Sequence, residues 1–169
     1  MKVRMLFMSL VAMLLAACSE APVQNNAISF DEVMTSRRSI RNYDASKTIS
    51  QAEVRDLLLA VQDAPSWANV QSTRYYVAMS EEKVAAVQEL IGDSNKKNVQ
   101  GAPVLIVSTF KIGQSGCFRG VAVNEIGDGW GAYDNGLSNG YLILKARAMG
   151  FDTLIMGMRD GDALRALFN

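Results

Sequence analysis

The chain has no histidine at any of its 169 positions. A Ser-His-Asp or Cys-His catalytic device is therefore excluded, and so is any metal site built on imidazole. Cysteine is scarce too, with only Cys18 and Cys117. Charge of neither sign is in surplus: 17 lysines and arginines stand against 17 aspartates and glutamates. That balance gives no case for nucleic-acid binding, which draws on surplus basic charge to neutralise phosphates. Low-complexity tracts and internal repeats are absent as well. With so few side chains that do chemistry unaided, a cofactor is expected to supply it.

What is present begins with a leader. Lys2 and Arg4 precede MLFMSLVAMLLAA (5–17), an apolar run without a charge. A membrane-spanning helix needs about 20 residues, so this shorter run fits the h-region of a secretory signal. It ends in Leu15-Ala16-Ala17-Cys18, which resembles the lipobox of bacterial lipoproteins, in which the Cys becomes an acylated N-terminus. The alternative is a plain cleavable signal with a chance Cys. The expected organisation is a signal peptide over 1–17, lipidation at Cys18, a polar tether over 18–28 and one globular domain over 29–169. The protein is thus expected to be a bacterial membrane-anchored lipoprotein, its domain on the periplasmic or extracellular side. Loss of Lys2 and Arg4 would take the 17 basic residues to 15, still close to neutral. Cys117 would be left as the remaining thiol, with no intrachain disulfide possible.

Within the domain, Ser29-Phe30-Asp31-Glu32 reads as a capping box opening a short helix to about Arg38. Ser50-Gln51-Ala52-Glu53 repeats the device, and Val54, Leu57, Leu58 and Val61 follow at i, i+3, i+4 and i+7. TRYYVAM (73–79) is β-branched and aromatic, hence a strand. SEEKVAAVQELIG (80–92) is a helix with Ser80 at its N-cap and Gly92 after its end. Pro103 introduces VLIVSTF (104–110), a buried strand, and KIGQSGCFRG (111–120) is a loop. A helix from about Ala132 to Met149 is expected to bury Leu137, Tyr141, Leu144 and Ala148. TLIMGM (153–158) reads as another short buried strand, and DGDALRALF (160–168) starts a helix. This order predicts an α+β fold, a central mixed or antiparallel sheet flanked by helices. The chain stops at Asn169 directly after an amphipathic turn, so the C-terminal part of the domain is expected to be missing.

Two stretches carry the chemistry. Arg37-Arg38-Ser39-Ile40-Arg41 places three guanidiniums and a hydroxyl within five residues. Arg offers paired donors to phosphate oxygens, but basic residues are favoured at a helix C-terminus in any case, and spacing alone leaves both readings open. Downstream, Pro65 stops a helix, and APSWANVQ (64–71) sets the carboxamides of Asn69 and Gln71 among small residues. SRRSIRNYD (36–44), an amphipathic helix and then APSWANVQ together resemble the N-terminal signature of the nitroreductase family of FMN-dependent flavoproteins. GWGAYDNGLSNGYLILKARAMGFDTLIMGM (129–158) is similar to that family's central helix, with an Asp near its start, and to the flavin-lining strand that follows. CFRG (117–120) is a pattern shared with some members.

The resemblance implies a nitroreductase-like fold and FMN as cofactor. It implies that Arg37, Ser39 and Arg41 hold the phosphate and ribityl chain, with Arg38 nearby. Pro65 would set the loop, Ser66, Asn69 and Gln71 would frame the ring, and Gly157 would lie against it. A carboxamide offers a donor and an acceptor in one plane, which suits the flavin's pyrimidine edge. Family members are homodimers with FMN at the interface, so each site would draw on both chains. There are departures. The family commonly continues Gln-Pro-Trp, whereas Gln71 is followed here by Ser72 and Thr73. The family's final strand and basic C-terminal tail are absent from this sequence.

The function implied is an FMN-dependent oxidoreductase, moving electrons from NADH, NADPH or another donor to a small conjugated acceptor such as a nitroaromatic or quinone. The alternative is a lipid-anchored flavin-binding protein without turnover. Outside the cytoplasmic membrane NAD(P)H is not expected to be plentiful, so a membrane quinol or protein donor stays open. No residue is assigned as general acid or base, and no metal is expected. Cys117, lacking a His or Cys partner, reads as a tolerated thiol. Asp128 and Asp134 lack the spacing of a calcium loop, and Gly127, Gly129 and Gly131 follow no convincing strand of a dinucleotide-binding unit.

Overall fold

The computed structural model describes residues 28–169; the leader, Cys18 and most of the tether lie outside them. Helix α1 (Phe30–Ser36) starts where Ser29 Oγ accepts the Glu32 amide at 3.1 Å, the forward half of a capping box. Helix α2 (Gln51–Ala60) has both halves: Ser50 Oγ accepts the Glu53 amide, and Glu53 Oε2 accepts the Ser50 amide at 2.7 Å. A 3₁₀ turn (Val61–Asp63) closes α2 ahead of Pro65, and another (Trp67–Asn69) leads into β1 (Thr73–Ala78). Helix α3 (Glu81–Glu89) is capped by Ser80. A short helix α4 (Asp93–Asn98) follows. It had no apolar periodicity to betray it; Gly92 O receives the Asn95 and Lys96 amides, and Lys96 pairs with Glu89 at 2.6 Å.

Strand β2 (Leu105–Phe110) pairs antiparallel with β1 from Thr73↔Phe110 to Ala78↔Leu105. A tight hairpin, β3 (Cys117–Phe118) with β4 (Val121–Ala122), starts inside the stretch expected to be loop and ends just past it. The long helix α5 (Gly129–Ala148) lies across β1, β2 and α2. Helix α6 (Gly161–Phe168) is capped by Asp160, whose carboxylate accepts the Asp162 and Ala163 amides. The architecture is α+β, as expected. Its apolar core joins Ala78, Val87, Ile91, Val99, Leu105 and Leu164. None of the described helices is long and apolar enough to cross a membrane.

Two further expectations fail. Residues 153–158 form no strand: Thr153 makes an isolated bridge to Ser39, and Arg159, just past the segment, makes another to Ile91. No described strand lies alongside to complete a ladder, and Ile155 and Met158 are left exposed. The buried face of α5 is also not the one foreseen. Gly131, Asp134, Ser138 and Ala146 are buried, while Tyr141 and Ala148 are exposed and Leu137 and Leu144 half-buried. The reason is proximity. A Cβ on Gly131 would sit 2.3 Å from the Phe110 ring, so the helix meets β2 through its smallest residues rather than its largest.

Gly131→Ala should therefore destabilise the fold, although Ala favours helix by about 1 kcal/mol. Even the Phe110 Cγ lies 3.0 Å from the added carbon, so the ring cannot simply swing aside and overpacking of about 1–3 kcal/mol dominates. Urea melts would measure it. Tyr75, whose hydroxyl donates to Asn139 Oδ1 at 3.0 Å, is pushed by burial from 10.0 up to about 12. Between those values the unfolded chain has lost the phenol proton and the folded chain keeps it, so stability falls as pH rises through that window. Tyr75→Phe should flatten that part of the alkaline decline in melts recorded from pH 9 to about 12.

Candidate functional site

The cationic segment sits where α1 ends. Arg38 is turned back on its own helix, donating to the carbonyls of Thr35 and Arg37 at 2.7 Å. That is the ordinary use of a basic residue at a helix C-terminus. Arg41 reaches only the Ser39 carbonyl, at 3.3 Å, and the Arg37 guanidinium makes no hydrogen bond among the described residues. None of the three joins a salt bridge among them; the ion pairs there belong to Lys96, Arg147 and Arg165. Ser39 bridges to Thr153 in parallel register, and the Ile40 amide donates to Thr153 O at 3.1 Å. The cluster is thereby tied to the segment that runs on to Gly157. Arg147, near the C-terminal end of α5, fixes the approach by donating to Ser36 Oγ at 2.9 Å.

The carboxamide loop sits at the other end of α5. Pro65 is exposed, and Ser66 Oγ accepts the Gln71 amide at 3.0 Å, closing the loop on itself while its own proton stays available. Ala68, Asn69 and Gln71 all have left-handed backbones, with φ of 45°, 55° and 51°. Asn tolerates that region better than most residues, which is a structural reason for Asn69. Yet its carboxamide and that of Gln71 are exposed and make no hydrogen bond among the described residues. Behind the loop, Asp134 on α5 accepts the Trp67 amide with both oxygens, at 3.0 and 3.1 Å, and the Ser115 hydroxyl at 2.6 Å. Nothing local in the sequence marks Asp134 beyond its place near the start of this helix. No groups of acidic or Cys side chains that could hold a metal occur among the described residues.

The candidate residues therefore fall into two groups on one helix. The docking points Asp134 and Arg147 are thirteen residues apart in α5, roughly 20 Å at about 1.5 Å per residue. Gly157 belongs with the cationic group; a Cβ there would meet nothing within 4 Å, so its backbone is open to a planar ligand. A cavity of about 870 Å³ lies between β2 and residues 153–159, reached by Gly157 and by Ile40 of the cationic segment. The fit to FMN is good in kind: a cation cluster without acidic partners, and unengaged carboxamides on a fixed loop.

Cys117 faces Asp128, its sulfur 3.9 Å from Oδ1. Burial, and then the carboxylate beside it, push the thiol above its ordinary value. It should remain protonated at pH 8 and react with iodoacetamide more slowly than a free thiol; mass spectrometry after timed alkylation would show it.

Residues 34–169 match the family described as the Nitroreductase family. A protein of Bacillus subtilis (strain 168) assigned as an NAD(P)H nitroreductase is 45% identical over 53 residues, 31% of this chain and 25% of the relative. That match thus spans a quarter of the relative's length. One from Caulobacter sp. (strain K31), assigned as an NADH dehydrogenase/NAD(P)H nitroreductase, is 26% identical over 138 residues, 73% of this chain and 69% of the relative. Among solved structures, a nitroreductase-type protein from Exiguobacterium sibiricum in complex with FMN superposes with a TM-score of 0.72. It is 27% identical and covers 85% of this chain and 81% of its own. The chain belongs to the nitroreductase family.

Proposed function

We propose that the protein is an FMN-dependent oxidoreductase, and that its physiological form is a homodimer held at a membrane by lipidated Cys18. The observation that carries the flavin reading is the Arg37–Arg41 segment: three guanidiniums without an acidic partner among the described residues, bridged through Ser39 to the backbone leading to Gly157. Arg37 and Arg41, with the Ser39 hydroxyl, would hold the phosphate and ribityl. Arg38 stands nearby as a second layer of positive charge. Ser66, Asn69 and Gln71 would frame the ring on a loop set by Pro65, and Gly157 would lie beneath it.

Bound FMN would supply the redox chemistry, taking reducing equivalents from NADH, NADPH or another donor for a small conjugated acceptor such as a nitroaromatic or quinone. The chain's own residues bind and orient. Donors aimed at the phosphate fix one end, and carboxamides at the pyrimidine edge fix the other. The two groups dock near opposite ends of α5, at anchor points on the order of 20 Å apart, a wide span for one mononucleotide. That separation supports a site drawing the cationic group from one protomer and the loop from its partner. Exposed Phe30, Met34, Tyr133 and Tyr141, on α1 and α5, supply apolar surface for such an interface.

An anaerobic absorbance titration of the FMN-reconstituted protein with NADH and then NADPH tests the reading. Bleaching of the flavin band is the expected result. Retained but unreduced flavin would favour a binding protein without turnover, and failure to retain FMN would sink the proposal. Arg37→Ala and Arg41→Ala should each weaken FMN binding about 10–100-fold, as for loss of a charged hydrogen bond. Asn69→Ala should cost about tenfold. Fluorescence titration gives all three.

A further inference from the structure

We propose that Asp134 is a positioning residue: its buried carboxylate, braced by Ser115 and Ser72, holds residues 67–72 in the left-handed shape that presents Asn69 and Gln71 to FMN. The inference rests on the flavin reading above, and it begins with an imbalance. Asp134 is 1% exposed and has no cation within ion-pair distance among the described residues. A carboxylate so buried needs N–H and O–H donors in place of water. It has them from Trp67 and Ser115.

The hydroxyls form a directed chain. Ser115 gives its proton to Asp134, so its oxygen is left to accept, and the 2.8 Å contact with Ser72 runs from Ser72 to Ser115. Ser72 and Ser115 are 0% and 1% exposed, so water does not compete. The network thus grips the loop at two points, Trp67 and Ser72. Between them lie all three left-handed residues, Ala68, Asn69 and Gln71. None is glycine, and without outside restraint such residues relax to the favoured regions.

Ser72 also marks this chain off from the family pattern, which has proline after the Gln. A proline would push residue 71 toward extended backbone and would have no hydroxyl to give. The left-handed Gln71 and the Ser72–Ser115–Asp134 chain are consistent with each other and not with that proline.

The test is Asp134→Asn in the full chain, with native-state amide exchange and FMN binding measured on the same preparation. An Asn amide would set a donor against the Trp67 amide or the Ser115 hydroxyl. Exchange at residues 67–71 should accelerate about tenfold or more, and the FMN dissociation constant should rise about as much, the factor of one lost hydrogen bond to a charged group. Protection across β1 and β2 should persist. Ser115→Ala, which leaves the Trp67 contact in place, should move both readouts the same way but less, and it keeps the test decisive where Asp134→Asn does not fold. Unchanged loop exchange in a folded variant would overturn the proposal whatever FMN does. Faster exchange with unchanged FMN affinity would overturn the positioning role. A wild-type chain that binds no FMN would instead refute the flavin reading itself.

Discussion

The approach of α5 to the β1–β2 ladder is the contact on which the rest is arranged. It is close because Gly131 presents no side chain to Phe110, and because the next buried turns carry Asp134 and Ser138 instead of large apolar groups. A helix seated this near a strand leaves room only for short side chains, and short polar ones must find partners there. Three do: Asp134 through Trp67 and Ser115, Ser138 through Thr73 at 3.5 Å, and Asn139 between Tyr75 and Ser108, whereas Asn135 Oδ1 is buried with no partner among the described residues. The same proximity that packs the helix thus ties it to the loop that follows α2.

That polar seam explains which parts of the fold could be read in advance. Helix starts were legible because caps are local: Ser50 and Glu53 satisfy each other within one turn. β1 and β2 were legible from β-branched runs. The face of α5 was not, because periodicity weighs Leu137, Tyr141 and Leu144 as core, whereas the buried stripe is set by how near the sheet lies. Residues 153–158 have a strand's composition, but a strand also needs a neighbour, and no described segment supplies a ladder there. Asp134 could be seen as a motif residue, but its bond to Trp67 spans 67 positions and leaves no local trace.

The cationic segment shows the converse. Its composition was plain, and its meaning depended on partners that only three dimensions disclose. Arg38 proved to be occupied by carbonyls at the end of α1, whereas Arg37 and Arg41 have no acidic group to answer them among the described residues. Like charges held together near one backbone repel, weakly where water screens them. An anion that desolvates such a cluster strengthens its own attraction, so a phosphate that filled the segment would be held more firmly than a passing carboxylate.

The loop at the other pole follows a similar logic, with backbone strain in the place of charge. Left-handed conformations cost an L-residue about 1–2 kcal/mol each, so Ala68, Asn69 and Gln71 together carry about 3–6 kcal/mol, less whatever Asn's tolerance returns. Against this stand the Trp67 amide on a carboxylate, about 1.5–3 kcal/mol, and the Asn69, Val70 and Gln71 amide bonds within the loop, about 0.5–1.5 kcal/mol each. The two sums are of the same size. The loop's shape is therefore held without being heavily over-stabilised, and it depends on the bonds that reach it from outside, at Trp67 from Asp134 and at Ser72 from Ser115. A ligand that met Asn69 and Gln71 on a backbone already held in that shape would lose less freedom on binding than one that had to order the loop, and the Trp67 and Ser72 contacts are what hold that backbone.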